Sequence, residues 1–248
     1  MNGVDPVLVL MPGLDGSGRM FERFEALLPQ NLVRQRITYS ANLPATLDAY
    51  AEHAYAQLPA AGDVILLAES FSGSSAVFLA HRLGNRLKAL ILCASFVTPP
   101  HPFIFLARGL PVRAFELKNE RRLLKHYCVG WDAPDAIVGA LSKIMHKLGN
   151  RTVQQRLRLL ASIDLTVLLR ELTVPILLLQ ATRDKLVSRR AQLFLERAVP
   201  QAQITHIAGP HFLLQTNPDD CWNRIREWMK QHALIPITGS STYSETNV

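Results

Sequence analysis

The sequence is poor in features that would commit a chain to a membrane, an oxidising compartment or a metal. In its 248 residues no apolar run approaches the ~18 needed to cross a bilayer, so the protein is not expected to be transmembrane. The opening residues Met1-Asn2-Gly3-Val4-Asp5-Pro6 lack the basic region and cleavage site of a secretory signal. Cysteine is scarce, odd in number and widely spaced: Cys93, Cys128 and Cys221 suit neither a disulfide framework nor a zinc site. Each reads as a small buried hydrophobe, and the expected setting is the reduced cytoplasm. No histidine and carboxylate cluster has ligand spacing, so no metal is expected. The glycine-rich stretch Pro12-Gly13-Leu14-Asp15-Gly16-Ser17-Gly18 lacks the Lys-Ser/Thr ending of a phosphate loop, and no cofactor is expected.

Acidic residues are also in deficit, and the deficit is local. The formal charge is +7. Residues 99–170 hold twelve basic residues against five acidic ones, which accounts for the whole excess. Arg121, Arg122 and Lys125 are typical of it. Such a segment suits an acidic acyl carrier or an anionic lipid surface, with a plain solvated face as the simpler reading. No recognised motif or interleaved aromatics accompany the charge, which argues against nucleic acid.

Apolar residues, at 48%, suffice for a full core. Strand and helix patterns alternate along the chain. Val7–Met11, Leu32–Thr38, Val64–Leu67, Leu87–Cys93, Pro175–Gln180 and Gln203–Ile207 read as strands. Helical spacing marks Met20 to Leu28, Leu47 to Leu58, Ala76 to Leu83 with Gly84 as its stop, and a last helix with Asn217 as cap. The expected fold is α/β: a doubly wound, mostly parallel sheet with helices on both faces. Residues 99–170 show proline-rich turns and helical patterns but no strand. They are expected to form a helical cap inserted into a core of residues 1–98 and 171–238, with a disordered polar tail at 239–248.

One serine stands out. Ala68-Glu69-Ser70-Phe71-Ser72-Gly73 follows the apolar run Val64–Leu67, the pattern of a strand, a sharp turn and a helix with Ser70 exposed at the tip. The turn is crowded, so the residues two before and two after the serine must be small, as Ala68 and Ser72 are. A serine hydroxyl needs a base, and the base an orienting acid. In an open parallel sheet these should project from strand ends. Asp184 lies in the loop after Pro175–Gln180, and His211 in the loop after Gln203–Ile207. Asp164 is the fallback acid. Glu69 reads as a structural hydrogen-bond partner, Asp15 as a turn cap, and His53, His81 and His206 as surface or packed residues.

With serine elbow, acid loop and histidine loop in the order Ser, Asp, His, the chain resembles the α/β-hydrolase superfamily over residues 4 to about 232. Ala68 and Ser72 stand where glycines are commoner in that family. The resemblance implies an oxyanion hole made of the backbone N–H groups of Phe71 and Leu14. It also implies cleavage of a small carboxylic ester through an acyl-serine, since the loop and elbow are similar to those of bacterial esterases. The alternative is a thioesterase or acyltransferase acting on coenzyme A or acyl-carrier-protein substrates. A non-catalytic binding protein is the third possibility. Phe103, Phe105, Phe115 and Tyr127 are candidates to line an acyl pocket.

Overall fold

The computed structural model describes residues 5–109, 111–112 and 120–235. Phe115 and the 239–248 tail therefore lie outside the described residues. Six strands form one all-parallel sheet in the order β2-β1-β3-β4-β5-β6. They are β1 Val7–Met11, β2 Arg34–Arg36, β3 Val64–Glu69, β4 Leu87–Cys93, β5 Ile176–Ala181 and β6 Gln203–Ile207. The helices are α1 Glu22–Glu25, α2 Leu47–Tyr55, α3 Phe71–Leu83, α4 Glu120–Leu124, α5 Asp135–Leu148, α6 Asn150–Leu160, α7 Thr166–Arg170, α8 Arg189–Ala198, α9 Leu213–Thr216 and α10 Pro218–Gln231.

Central parallel strands covered on both faces should be apolar throughout, and β3 and β5 are buried at every position. Their side chains alternate between two cores. Val9, Leu66, Leu90 and Leu178 pack against α2, α3 and α8. Leu8, Ile65, Ile91 and Leu177 pack against Phe21 just before α1, Phe24 from α1, and Trp222 and Trp228 from α10. A third cluster, around Val129, Ile137, Val138 and Leu141, lies within the segment between β4 and β5, with Met20 joining it. Among the described residues of 99–170 there is no strand.

The edges depart from expectation. The strand expected over Leu32–Thr38 pairs for only three residues, because β2 is an edge strand with β1 on one side alone. Gln57 takes over beyond it: its side chain accepts from Thr38 N at 3.0 Å and donates to Thr38 O at 2.9 Å, as a neighbouring strand would. The first helix shrinks to α1, with a 3₁₀ turn at Arg19–Phe21 before it. Asn217 occupies the residue before α10, but its side chain makes no cap and donates instead to Ala208 O at 3.3 Å.

Strand order reverses between β1 and β3, and α/β sheets bind ligands at such a point, beyond the carboxyl ends of the strands. The loops leaving β1, β3, β5 and β6 all emerge on that edge.

Candidate active site

Ser70 sits between β3 and α3 with φ 50° and ψ −114°. A non-glycine residue there is strained by ~1–3 kcal/mol, so its surroundings must hold it. They do so through Ser70 N, which donates to Cys93 O at 2.9 Å, and Ser70 O, which accepts from Ser95 Oγ at 2.8 Å and Gly73 N at 3.0 Å. Gly73 has no alternative, since a Cβ there would collide with Ser95 Oγ. Ala68 and Ser72 are wholly buried. Ser72 is more than small: its hydroxyl donates to Pro12 O and lies 3.0 Å from Tyr39 Oη, tying α3 to the loop after β1.

The structure brings Ser70, His211 and Asp184 together. His211 Nε2 lies 2.8 Å from Ser70 Oγ, and His211 Nδ1 lies 2.8 Å from Asp184 Oδ2. An ionised carboxylate only accepts, so Nδ1–H donates to Asp184 and neutral Nε2 accepts from the serine hydroxyl. Asp184 is fixed in turn by Leu186 N and Val187 N, each donating to Oδ1 at 2.8 Å. The histidine loop is clamped by Arg183 N donating to Gly209 O at 3.0 Å and by Phe212 N donating to Cys128 O at 3.0 Å.

Burial alone would lower the His211 pKa. The Asp184 charge, its hydrogen bond and the Glu69 carboxylate together outweigh burial and raise it above the ordinary histidine value. Glu69 is itself buried, with Oε2 accepting from Gln215 Nε2 at 3.2 Å and Oε1 without a hydrogen-bond partner among the described residues. Burial, and secondarily the Asp15 charge, push its pKa from 4.5 up to about 7. Asp15 is raised by burial as well, against hydrogen bonds from Ser17 Oγ at 2.6 Å and Ser17 N at 2.9 Å.

The loop after β1 crosses directly over the serine: a Cβ on Gly13 would stand 3.8 Å from both Ser70 Cβ and Glu69 Oε2. Among the described residues, neither the Leu14 nor the Phe71 N–H donates to a protein acceptor. Leu14, Ser70, Phe71 and His211 open on one cavity of about 400 Å³. Its walls are mostly apolar, with Phe96, Ile104, Leu157, Leu160 and Val187, and Lys185 and His101 are its other polar members. Phe103 and Tyr127 line it, whereas Phe105 does not and is half exposed.

The remaining candidates lie elsewhere. Asp164 is exposed and accepts from Thr166 N at the start of α7. His81 Nε2 meets Leu168 O, His53 lies on α2, and His206 is exposed on β6. All three thiol pKa values are pushed up by burial, which makes the cysteines poor nucleophiles. Arg156 escaped the sequence reading as one of twelve basic residues. Its signal was spacing, since Thr152, Arg156 and Leu160 stand four apart on one buried stripe of α6.

An all-parallel doubly wound sheet with a serine on a strained strand-to-helix turn defines an α/β-hydrolase. The profile of the family described as serine aminopeptidase, S33, matches residues 36–213, and the chain belongs to that family. Solved structures agree on the fold. An esterase from Thermogutta terrifontis has a TM-score of 0.73 at 20% identity, over 93% of this chain and 91% of that one. An enol-lactonase from Burkholderia xenovorans LB400 has a TM-score of 0.74 at 16% identity, over 92% of each chain. A hydrolase from Oleispira antarctica has a TM-score of 0.74 at 15% identity, again over 92% of each. No curated protein sequence matches the chain significantly.

Proposed function

We propose that this hydrolase cleaves a carboxylic ester through an acyl-serine intermediate. The observation that carries the reading is the unbroken Ser70–His211–Asp184 chain of 2.8 Å bonds at the floor of an apolar cavity. Ser70 Oγ attacks the carbonyl carbon while its proton passes to His211 Nε2, and the carbonyl electron pair moves onto oxygen. The Leu14 and Phe71 N–H groups receive that oxyanion. Collapse breaks the ester C–O bond, and the departing alkoxide takes the proton from Nε2. Water then gives a proton to His211, attacks the acyl carbon and releases Ser70, which recovers the proton. Asp184 holds the tautomer and stabilises the imidazolium.

An ester fits this cavity better than a peptide amino terminus. Binding an ammonium group calls for a carboxylate, and among the described residues the cavity lining includes Lys185 and no acid. Residues 99–170 act in this reading as a cap, since they supply Ile104, Leu157 and Leu160 to its wall. Three free thiols agree with a reduced cytoplasmic setting, and no described helix is long and apolar enough to cross a membrane.

A fluorophosphonate should label the protein stoichiometrically at Ser70. Ser70→Ala should end labelling and lower kcat for p-nitrophenyl esters on the order of 10⁵-fold with the fold intact. Labelling elsewhere, or retention of more than about a hundredth of the turnover, overturns the assignment.

A second reading, transfer or hydrolysis of an acyl group from an anionic thioester, is favoured by one observation. A second cavity of about 400 Å³ shares Lys185 with the first and adds His126, Arg183 and Trp131. Lys185 Nζ faces the His126 ring at 3.3 Å from both nitrogens. Among the described residues neither Lys185 nor Arg183 has an ion-pair partner, and Asp132 is the one acid in the lining. An anionic leaving group beside the acyl cavity suits this arrangement.

A further inference from the structure

We propose that Arg156 is a positioning residue that couples the acyl cavity to the oxyanion loop. The proposal rests on the ester reading and adds a means by which the acyl group is sensed. Arginine is almost never fully buried without a paired acid, yet Arg156 is 0% exposed and, among the described residues, has no carboxylate within ion-pair distance. Backbone and rings satisfy it instead. Nη1 donates to Leu14 O at 2.6 Å, Nε to Tyr50 Oη at 3.1 Å, and Nη2 reaches Ser40 O at 3.5 Å. The guanidinium stands over the rings of Tyr50, Phe71 and Tyr39, at 5.4, 5.8 and 5.9 Å from their centroids.

Two of these partners are the residues whose N–H groups would form the hole. Fixing the Leu14 carbonyl sets the orientation of the backbone on which the Leu14 N–H is carried. The Pro12 carbonyl, two residues earlier, is fixed from the other side by Ser72. The loop is thus anchored on both flanks of the donor. Gly16 shows how closely the two are fitted: it has φ +66°, and a Cβ there would collide with the Arg156 guanidinium.

The same helix touches the acyl cavity. Leu157, the next residue, and Leu160, one turn on, both line it. An acyl chain packed against these leucines seats α6, and α6 carries the group that holds the loop. Binding energy from the non-reacting part of the substrate is then expressed in kcat as well as in KM. A purely structural arginine would give no such link.

The test uses the full chain with active sites counted by fluorophosphonate titration, so that kcat is per competent site. Arg156→Met should lower kcat about 10- to 100-fold, less than outright loss of a hole donor, with KM changed by no more than about three-fold. Its rate of fluorophosphonate inactivation should fall in parallel, because the phosphoryl oxygen needs the same donors. Arg156→Lys should recover part of both rates. The wild-type preference in kcat for p-nitrophenyl octanoate over acetate should flatten toward unity in Arg156→Met. Should that variant not fold, Tyr50→Phe keeps the ring, deletes the Nε acceptor, and should lower kcat several-fold with the same flattening. Unchanged kcat per titrated site, or a loss confined to the number of titratable sites, overturns the coupling alone. Wild-type protein that neither labels nor hydrolyses any ester overturns the ester reading and the coupling with it.

Discussion

The sheet and the segment between β4 and β5 solve different problems with different material. The sheet positions chemistry: Ser70, Asp184 and His211 leave its strand ends, and the strands behind Ser70 and Asp184 are buried at every position. Packing at that density leaves little freedom, which is what a strained serine turn needs. The described part of the 99–170 segment is made largely of amphipathic helices, with a small core of its own and wide solvent faces. Among the described residues its polar side-chain pairs lie at the surface: Lys125 Nζ stands 2.9 Å from Asp135 Oδ1, and His146 Nε2 2.6 Å from Glu120 Oε2. Solvent screens exposed pairs of this kind, so they contribute little to stability. Its positive charge is not one continuous face either, because Arg156 is interior and Arg121 and Lys125 share Asp135. The sheet should therefore govern the chemical step and the segment should govern what reaches it, with Arg156 as the exception that crosses between them.

The sharpest test of that division is Asp184→Asn. The asparagine keeps the volume but lets the imidazole adopt the wrong tautomer, so Nε2 no longer accepts from Ser70. The expected loss in kcat is about 10³- to 10⁴-fold, with KM little changed, as steady-state kinetics on a p-nitrophenyl ester would show. A loss under about ten-fold would mean that the sheet does not control the chemistry through this residue.

Legibility in the sequence follows the same division. The small-residue elbow after an apolar run pointed to Ser70, and position in the loops after late strands pointed to Asp184 and His211. β4 ends where its apolar run does, and β6 covers the residues expected of it. The edge strand β2 was overdrawn, since apolar residues at Leu32 and Ile37 serve the two cores without pairing along their length. Asn217 was misread because a cap needs its side chain to turn back to the helix, and here Ala208 O claims it. Arg156 could not be found from charge counting. Its role depends on Leu14, Tyr50 and Phe71 converging from three distant parts of the chain, which no local pattern encodes.

Within the sheet, Glu69 gives a smaller and pH-dependent effect. Its carboxylate favours the His211 imidazolium, so Glu69→Gln should move the acid limb of the kcat/KM profile to lower pH. Stability should respond with the opposite emphasis. The native state holds the Glu69 proton up to a pKa of about 7, against 4.5 for an unperturbed glutamate. Between those values the native state binds more protons than the unfolded chain, so wild-type stability falls as pH rises through the window. Glu69→Gln escapes that loss. Its advantage over wild type should be absent near the lower end of the window and reach up to about 3 kcal/mol above the upper end, read from urea midpoints. An acid limb that stays in place would remove Glu69 from the electrostatics of His211.

The smallest effect is expected where sheet loop and helical segment meet, at the wall of the second cavity, which shares Lys185 with the first. Lys185 and Arg183 come from the loop after β5, and His126 from the helical segment. If that wall receives an anionic leaving group, its charges act on capture and not on bond breaking. Lys185→Gln with Arg183→Gln should lower kcat/KM for an acyl-coenzyme A thioester about three- to ten-fold more than for a neutral ester of the same acyl group, at low salt. The difference should shrink as the Debye length falls to ~8 Å at physiological ionic strength. Equal losses on both substrates, at every salt concentration, would place these cations among the groups that hold Asp184 in position. The anionic-thioester reading would then lose its support, and the neutral ester would stand alone.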